Sequence, residues 1–299
     1  MREEEAGCKS VKIARRDGTG TLGGSGPHGV ASLHPLGARD ARRLPGMGFV
    51  LDCVSDTHDA HADLVFPAWT PPAGYRRLLL HAGDFSYGGR EDEVSRFVGW
   101  LRALPHDRKV VIAGNHELSF DGATPRRDRT RPLVSGAALF AGVADYLEEE
   151  SIEIEGLRVF GSPYSVRFFD WAFQTDPGLD AETRWAKIPE GTHVALIHGP
   201  PHGFGDVCRD HRANGNLVHV GDEALLARLR FVKPLACIFG HIHEGFGTFT
   251  EPVSGTLLVN ASSLDEGYAV RGTFVRLIID DALQLVSQSV EQFAPRASP

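Results

Sequence analysis

The sequence predicts an α/β fold, a four-layer sandwich of two mixed β-sheets flanked by helices. Three observations carry that prediction. Short apolar runs of strand length recur along the chain, stretches with helical spacing lie between them, and two alternating segments fold back as hairpins.

In chain order, Phe49-Val50-Leu51 is the first strand and Arg77-Leu78-Leu79-Leu80 the second. Val94, Phe97, Val98, Leu101 and Leu104 then recur at helical spacing, which places one apolar face against a sheet. Val110-Val111-Ile112-Ala113 is the next strand. Residues 152–160 alternate around Glu155-Gly156 as a hairpin. Val194-Ala195-Leu196-Ile197 and Ala236-Cys237-Ile238-Phe239 are further strands, separated by a helix marked by Leu225, Leu226 and Leu229. A last hairpin turns near Asp280-Asp281, between Thr273–Ile279 and Leu283–Val286.

These elements fill one domain over residues 47–290. Residues 1–46 are Gly- and Arg-rich without sustained periodicity, and read as a mostly disordered extension; 291–299 read as a tail. Residues 1–46 lack the apolar core of a signal peptide, and Met47 is an alternative start. The 299 residues, 42% of them hydrophobic, suffice for a substantial core. A net charge of -8, with no basic block interleaved with aromatics, disfavours a nucleic-acid platform but admits a small nucleotide. No apolar stretch approaches the ~20 residues of a membrane span. Cys8, Cys53, Cys208 and Cys237 are widely spaced, which points to reduced thiols in a cytoplasmic protein.

Each core strand runs into a short polar cluster. Asp56-Thr57-His58, Gly83-Asp84, Gly114-Asn115-His116, His198-Gly199 and Gly240-His241-Ile242-His243 follow the five runs in turn. In a layered α/β sheet those carboxyl ends converge on one edge. Two Asp, one Asn and four His brought together there fit two adjacent metal ions. Glycines 83, 114 and 240 permit sharp turns and close backbone approach immediately before the ligands.

The five ordered blocks resemble the calcineurin-like metallophosphoesterase superfamily, whose signature is D-x-H, G-D, G-N-H-D/E, G-H and G-H-x-H, over about residues 49 to 262. The resemblance implies the metallophosphoesterase sandwich and an assignment residue by residue. One metal is held by Asp56, His58, Asp84 and His243, the other by Asp84, Asn115, His198 and His241. Asp84 bridges the two, and His116 stands beside the reacting phosphate as the catalytic residue. Two divalent ions about 3.5–4 Å apart repel, so a shared carboxylate between them is chemically apt. Imidazole mixed with carboxylate suits Mn, Fe, Zn, Co or Ni, and Mn²⁺ is the first expectation. The implied mechanism is in-line attack by a metal-bridging hydroxide, with His116 protonating the departing oxygen or stabilising charge on the phosphate.

Further stretches resemble the metallophosphoesterase-domain-containing subgroup, which hydrolyses phosphodiesters, cyclic nucleotides among them. They are residues 81–85, 113–117, Gly161-Ser162-Pro163 followed by Trp171-Ala172-Phe173, His198-Gly199-Pro200-Pro201, residues 240–245 and Asn260-Ala261-Ser262. The Val-Asp-Arg-Gly of Ser/Thr phosphatases is replaced by Phe85-Ser86-Tyr87-Gly88-Gly89. Tyr87 has the spacing of the purple acid phosphatase tyrosine, but that family begins D-x-G where His58 stands here, so Tyr87 reads as a surface or loop residue.

The Pro- and Gly-rich stretch 200–212 is too irregular for a regular element. It reads equally as a specificity loop, with His202, Arg209 or Arg212 near substrate, and as a solvated connector. Trp171 and Phe173 are suited either to stacking a nucleobase or to core packing. His81, His193 and His219 read as structural, residues 59–63 as an exposed polar loop, and Glu117 and Glu244 as groups behind the ligands or on the surface. The expected activity is that of a metal-dependent phosphoesterase on small phosphodiesters, cyclic nucleotides among them. A phosphomonoesterase of the same fold and a low-turnover nucleotide-binding regulator are the alternatives.

Overall fold

The computed structural model describes residues 46–122, 133–210 and 215–295. Residues 1–45 of the expected extension, with Cys8, lie outside the described residues, as do Arg212 and residues 296–299.

In chain order the elements are β1 (Phe49–Val54), β2 (Arg76–His81), α1 (Glu91–Ala103), β3 (Arg108–Val111), α2 (Gly136–Phe140), β4 (Asp145–Tyr146), β5 (Glu150–Ile154) and β6 (Leu157–Ser162). They continue as β7 (Ser165–Val166), β8 (Gln174–Thr175), α3 (Leu179–Trp185), β9 (Val194–Ile197), β10 (Val207–Asp210), β11 (Asn216–His219) and α4 (Glu223–Val232). The last are β12 (Ala236–Phe239), β13 (Gly247–Thr250), β14 (Leu257–Asn260), β15 (Thr273–Ile279) and β16 (Leu285–Gln292).

Two six-stranded sheets result, ordered β16-β15-β1-β2-β3-β4 and β13-β14-β12-β9-β6-β5. Each has four parallel strands, extended by antiparallel partners: β15 and β16 on one sheet, β13 and β5 on the other. Alternate residues of both sheets, among them Leu51, Leu80, Ile112, Leu196, Ile238 and Val275, interlock in one buried cluster between them. The opposite face of the first sheet packs on α1 and α2 through Phe97, Leu101 and Phe140. That of the second packs on α3 and α4 through Trp185, Leu225 and Leu229. The layers are therefore helix, sheet, sheet, helix, as the sequence predicts.

Three details differ from the sequence reading. The second part of the 200–212 stretch is regular, because β10 and β11 pair as a small antiparallel hairpin. β16 runs to Gln292, and Phe293 packs on Phe66 and Phe274, so the packed chain continues past residue 290. His61 is buried edge-on against Phe97 where an exposed loop was expected.

On the α1 side of the first sheet, fully buried Asp52 accepts hydrogen bonds from Arg77 Nε (2.9 Å) and Arg276 Nε (2.7 Å), with His106 Nε2 at 3.0 Å. Burial alone would raise its carboxyl. The bonds from His106 and Arg276 and the charges of both arginines outweigh that and hold it at about 2. The ring of Trp69 covers the Arg276 guanidinium at 4.3 Å.

Candidate metal centre

The loops that leave β1, β2, β3, β9 and β12 meet at one edge, where the carboxyl ends of the two sheets come together. Asp56, His58, Asp84 and His241 hold positive φ values of 51°, 37°, 53° and 68°. Such backbone costs of order 1–3 kcal/mol per residue and survives only where surroundings impose it. Here it turns side chains from separate strands toward one point. Gly83, at φ 97°, needs its conformational freedom. Gly114 and Gly240 are instead matters of room: a Cβ at 114 would strike Asp84 Oδ1, and one at 240 would strike Asp56 Oδ2. Gly240→Ala is therefore expected to displace Asp56 and leave purified protein with less bound metal, measured by elemental analysis after dialysis.

Three sets of donor atoms each lie within 4.8 Å of one another: Asp56, His58 and His243; His58, Asp84 and His116; Asp84, His198 and His241. Asp84 Oδ2 is 3.4 Å from His198 Nε2, 3.9 Å from His58 Nε2 and 4.0 Å from His116 Nε2. His243 Nε2 is 3.6 Å from Asp56 Oδ1. Asn115 Oδ1 lies 2.8 Å from both His198 Nε2 and His241 Nδ1. The seven ligand candidates and His116 are thus brought together.

The outer nitrogens decide whether a cation fits. Each of four imidazoles places Nδ1 on a backbone carbonyl: His58 on Ser86 (3.2 Å), His116 on Tyr87 (3.1 Å), His198 on Ala82 (2.8 Å) and His243 on Asp265 (3.0 Å). A carbonyl only accepts, so each Nδ1 donates its proton outward and leaves Nε2 as the inward-facing nitrogen, the one able to coordinate a cation when it carries no proton. The Nε2 atoms of His58 and His243 face each other at 3.3 Å, and without a proton on either both would present lone pairs. Two lone pairs at that separation repel unless a positive centre lies between them. Burial and the charge of His116 oppose a proton on His58, which is pushed down to about 3. His198 responds oppositely: burial lowers it, but the carboxylates of Asp84 and Asp56 outweigh burial and lift it to about 9. Both carboxyls sit well below the ordinary range; burial opposes this, and the facing imidazoles overcome it. The residues present fit divalent cations.

Glu117 braces this arrangement from behind. It is fully buried; Oε2 accepts from the N–H groups of Asp84 (3.0 Å) and Gly114 (2.7 Å), and Oε1 from the N–H (3.0 Å) and hydroxyl (2.7 Å) of Ser86. It ties the second ligand loop to the third. Burial and the nearby Asp84 push its carboxyl up to about 8, against the pull of those donors. Ser262 Oγ donates to Asp56 Oδ2 at 2.9 Å, and the His241 N–H reaches both Asp56 oxygens at 3.0 Å. The sequence reading left the role of Glu117 open and gave Ser262 none. Their signals were a glutamate directly after Asn115-His116 and the Asn260-Ala261-Ser262 stretch.

A family model described as Calcineurin-like phosphoesterase matches residues 49–245, a span that contains all five ligand loops. This chain belongs to the calcineurin-like phosphoesterase family. Metallophosphoesterase domain-containing protein 1 of Homo sapiens is 34% identical over 257 residues, covering 81% of this chain and 73% of its own length. The UPF0046 protein K07C11.7 of Caenorhabditis elegans is 30% identical over 225 residues, covering 73% of this chain and 71% of its own. Among solved structures, TT1561 of Thermus thermophilus superimposes with a TM-score of 0.51 at 11% identity, covering 81% of this chain and 98% of that one. That last likeness is one of fold. Family membership makes the chain a phosphoric-ester hydrolase with a divalent-metal site, and no helix among the described residues is long and apolar enough to cross a membrane.

Around the phosphoesterase centre the expected substrate contacts separate. Trp171 stacks on His116 with ring centroids 4.4 Å apart, so one indole face is already taken. Phe173 is 1% exposed within the helix-side core of the first sheet, which removes it from any contact with substrate. His202 leans toward Asp206, 3.8 Å away, not toward a ligand residue. Arg209 lines a cleft of about 470 Å³ with Val207, Phe246 and Phe249, beside the turn that follows His243. Tyr87, expected at the surface, is 43% exposed, yet its ring lies 5.6 Å from that of His58. Tyr268, which the sequence reading missed, lies 5.1 Å from the rings of both His58 and His243. His81 is structural as expected, buried with Nε2 3.1 Å from Thr57 Oγ1.

Proposed function

We propose that this phosphoesterase hydrolyses small phosphodiesters, cyclic nucleotides among them, with two divalent ions held by Asp56, His58, Asp84, Asn115, His198, His241 and His243, Asp84 being shared. The carrying observation is the set of backbone-locked imidazoles whose Nε2 atoms converge with Asp56 and Asp84, the closest pair 3.3 Å apart. Divalent ions held by these residues would offset phosphate charge and supply an activated water as nucleophile, since metal binding lowers the pKa of water from 15.7 toward about 7. Mn²⁺ is the first expectation. Two aromatic rings favour a diester over a monoester: Tyr87 and Tyr268 flank His58 and offer an apolar wall to the second ester substituent. A cytoplasmic setting accords with the buried thiols of Cys53 and Cys237.

His116 supplies the proton. Its Nδ1 is tied to the Tyr87 carbonyl, so Nε2 alone is turned toward the centre, and as imidazolium it protonates the leaving oxygen. His116→Ala is expected to keep its metal and lose roughly 10²- to 10⁴-fold in turnover of a 2′,3′-cyclic nucleotide, whose leaving oxygen needs a proton, measured by steady-state kinetics beside metal analysis. Unchanged turnover would remove it from the reaction. The function itself is tested with bis-p-nitrophenyl phosphate and p-nitrophenyl phosphate in Mn²⁺-loaded protein. Faster hydrolysis of the diester is expected; hydrolysis of neither would favour a regulator.

A further inference from the structure

We propose that Trp171 is a positioning residue, whose indole holds the His116 imidazole at the angle from which Nε2 meets the leaving oxygen. This rests on the phosphoesterase reading above. His116 is restrained on three sides: Nδ1 on the Tyr87 carbonyl, the ring edge-on to His58 at 4.6 Å and 78°, and its remaining face stacked on Trp171 at 4.4 Å and 30°. Only the third restraint comes from outside the ligand loops. Without it the imidazole can tilt about its Cβ–Cγ bond.

The strap carrying Trp171 is fastened to the loop it serves. The Ala172 N–H donates to the Asn115 carbonyl at 3.1 Å, and the Phe173 N–H to buried Asp121 Oδ2 at 2.8 Å. Ala172 and Phe173 pack in the core while the indole stays half-buried over His116. An indole kept out of the adjoining core and laid on the proton-bearing ring is placed for that ring. His116 occupies one indole face, which leaves only the other for any nucleobase.

Two esters that differ in their need for a proton test this. The p-nitrophenolate of bis-p-nitrophenyl phosphate departs unprotonated, whereas the ribose oxygen of a 2′,3′-cyclic nucleotide takes up a proton as its P–O bond breaks. Misplacement of a reacting group by about 1 Å costs up to ~10²-fold. Trp171→Ala is expected to lower kcat for the cyclic nucleotide at least roughly tenfold more than for the p-nitrophenyl ester, with KM little moved. Trp171→Phe should restore most of that ratio. In a His116→Ala background, Trp171→Ala should change it no further. If the alanine variant does not fold, Trp171→Leu, apolar but not planar, carries the same comparison.

A readout independent of turnover is the His116 ring-proton resonance in Zn²⁺-loaded protein, which the indole ring current should shift upfield and Trp171→Ala should release. Equal slowing of both esters, persistence of the effect without His116, or an unmoved resonance would overturn the proposal. If the unmutated protein hydrolyses neither ester, the phosphoesterase reading fails, and the resonance still decides whether Trp171 restrains His116.

Discussion

Asp84→Asn is expected to lower turnover about a thousandfold or more and to strip the protein of much of its bound metal. The substitution keeps the shape of the side chain and removes its charge. Oδ1 still accepts the His116 N–H at 2.9 Å, so the loop has reason to stay in place. The loss falls on Oδ2, which three imidazole nitrogens surround at 3.4, 3.9 and 4.0 Å. On the proposed two-ion reading, an amide there could not serve as the anion shared between the cations. Metal stoichiometry and steady-state rates, measured on one preparation, check the expectation. Turnover within tenfold of the unmutated protein at full metal loading would show that Asp84 is not the shared ligand.

Glu117→Ala should act first on stability. It strands three backbone N–H groups and one hydroxyl in a fully buried place, and removing one partner of such a buried network typically costs about 3–5 kcal/mol. For a domain of this size that corresponds to a fall in Tm of roughly 10 °C. Metal affinity should weaken in step, because the Asp84 and Asn115 loops lose their common brace. Glu117→Gln is expected to be milder, since the Ser86 hydroxyl can rotate and accept from the new amide. Calorimetry on apo and metal-loaded protein reads both effects, and an unchanged Tm in Glu117→Ala would sink this account of the residue.

Much of this was legible in the sequence, and the reason differs from part to part. The strands were plain because buried parallel strands are continuous apolar runs such as Val194–Ile197. The candidate ligands could be located because each lies within a few residues of such a run. Contacts made across space were not legible. Nothing in the order of residues says that Phe173 turns into the core while Trp171, two positions earlier, lies over His116. Glu117 shows the same limit, since its worth lies in four donors from Asp84, Ser86 and Gly114. The left-handed backbone at Asp56, His58, Asp84 and His241 also leaves no mark in composition, because it is imposed by the assembled site.

Asp52 lies on β1, four residues before Asp56 in the loop that leaves it, and is clasped by arginines from the strands on either side, Arg77 of β2 and Arg276 of β15. Apolar strand contacts alone tolerate sliding, since one branched side chain resembles the next. A slip of two residues would carry Asp56 about 7 Å from its place while keeping every apolar side chain on its proper face. The buried clasp forbids that shift, because it would tear a carboxylate away from two guanidiniums. Far from the reacting atoms, a single charge acts as the indexing pin that sets where the first ligand arrives.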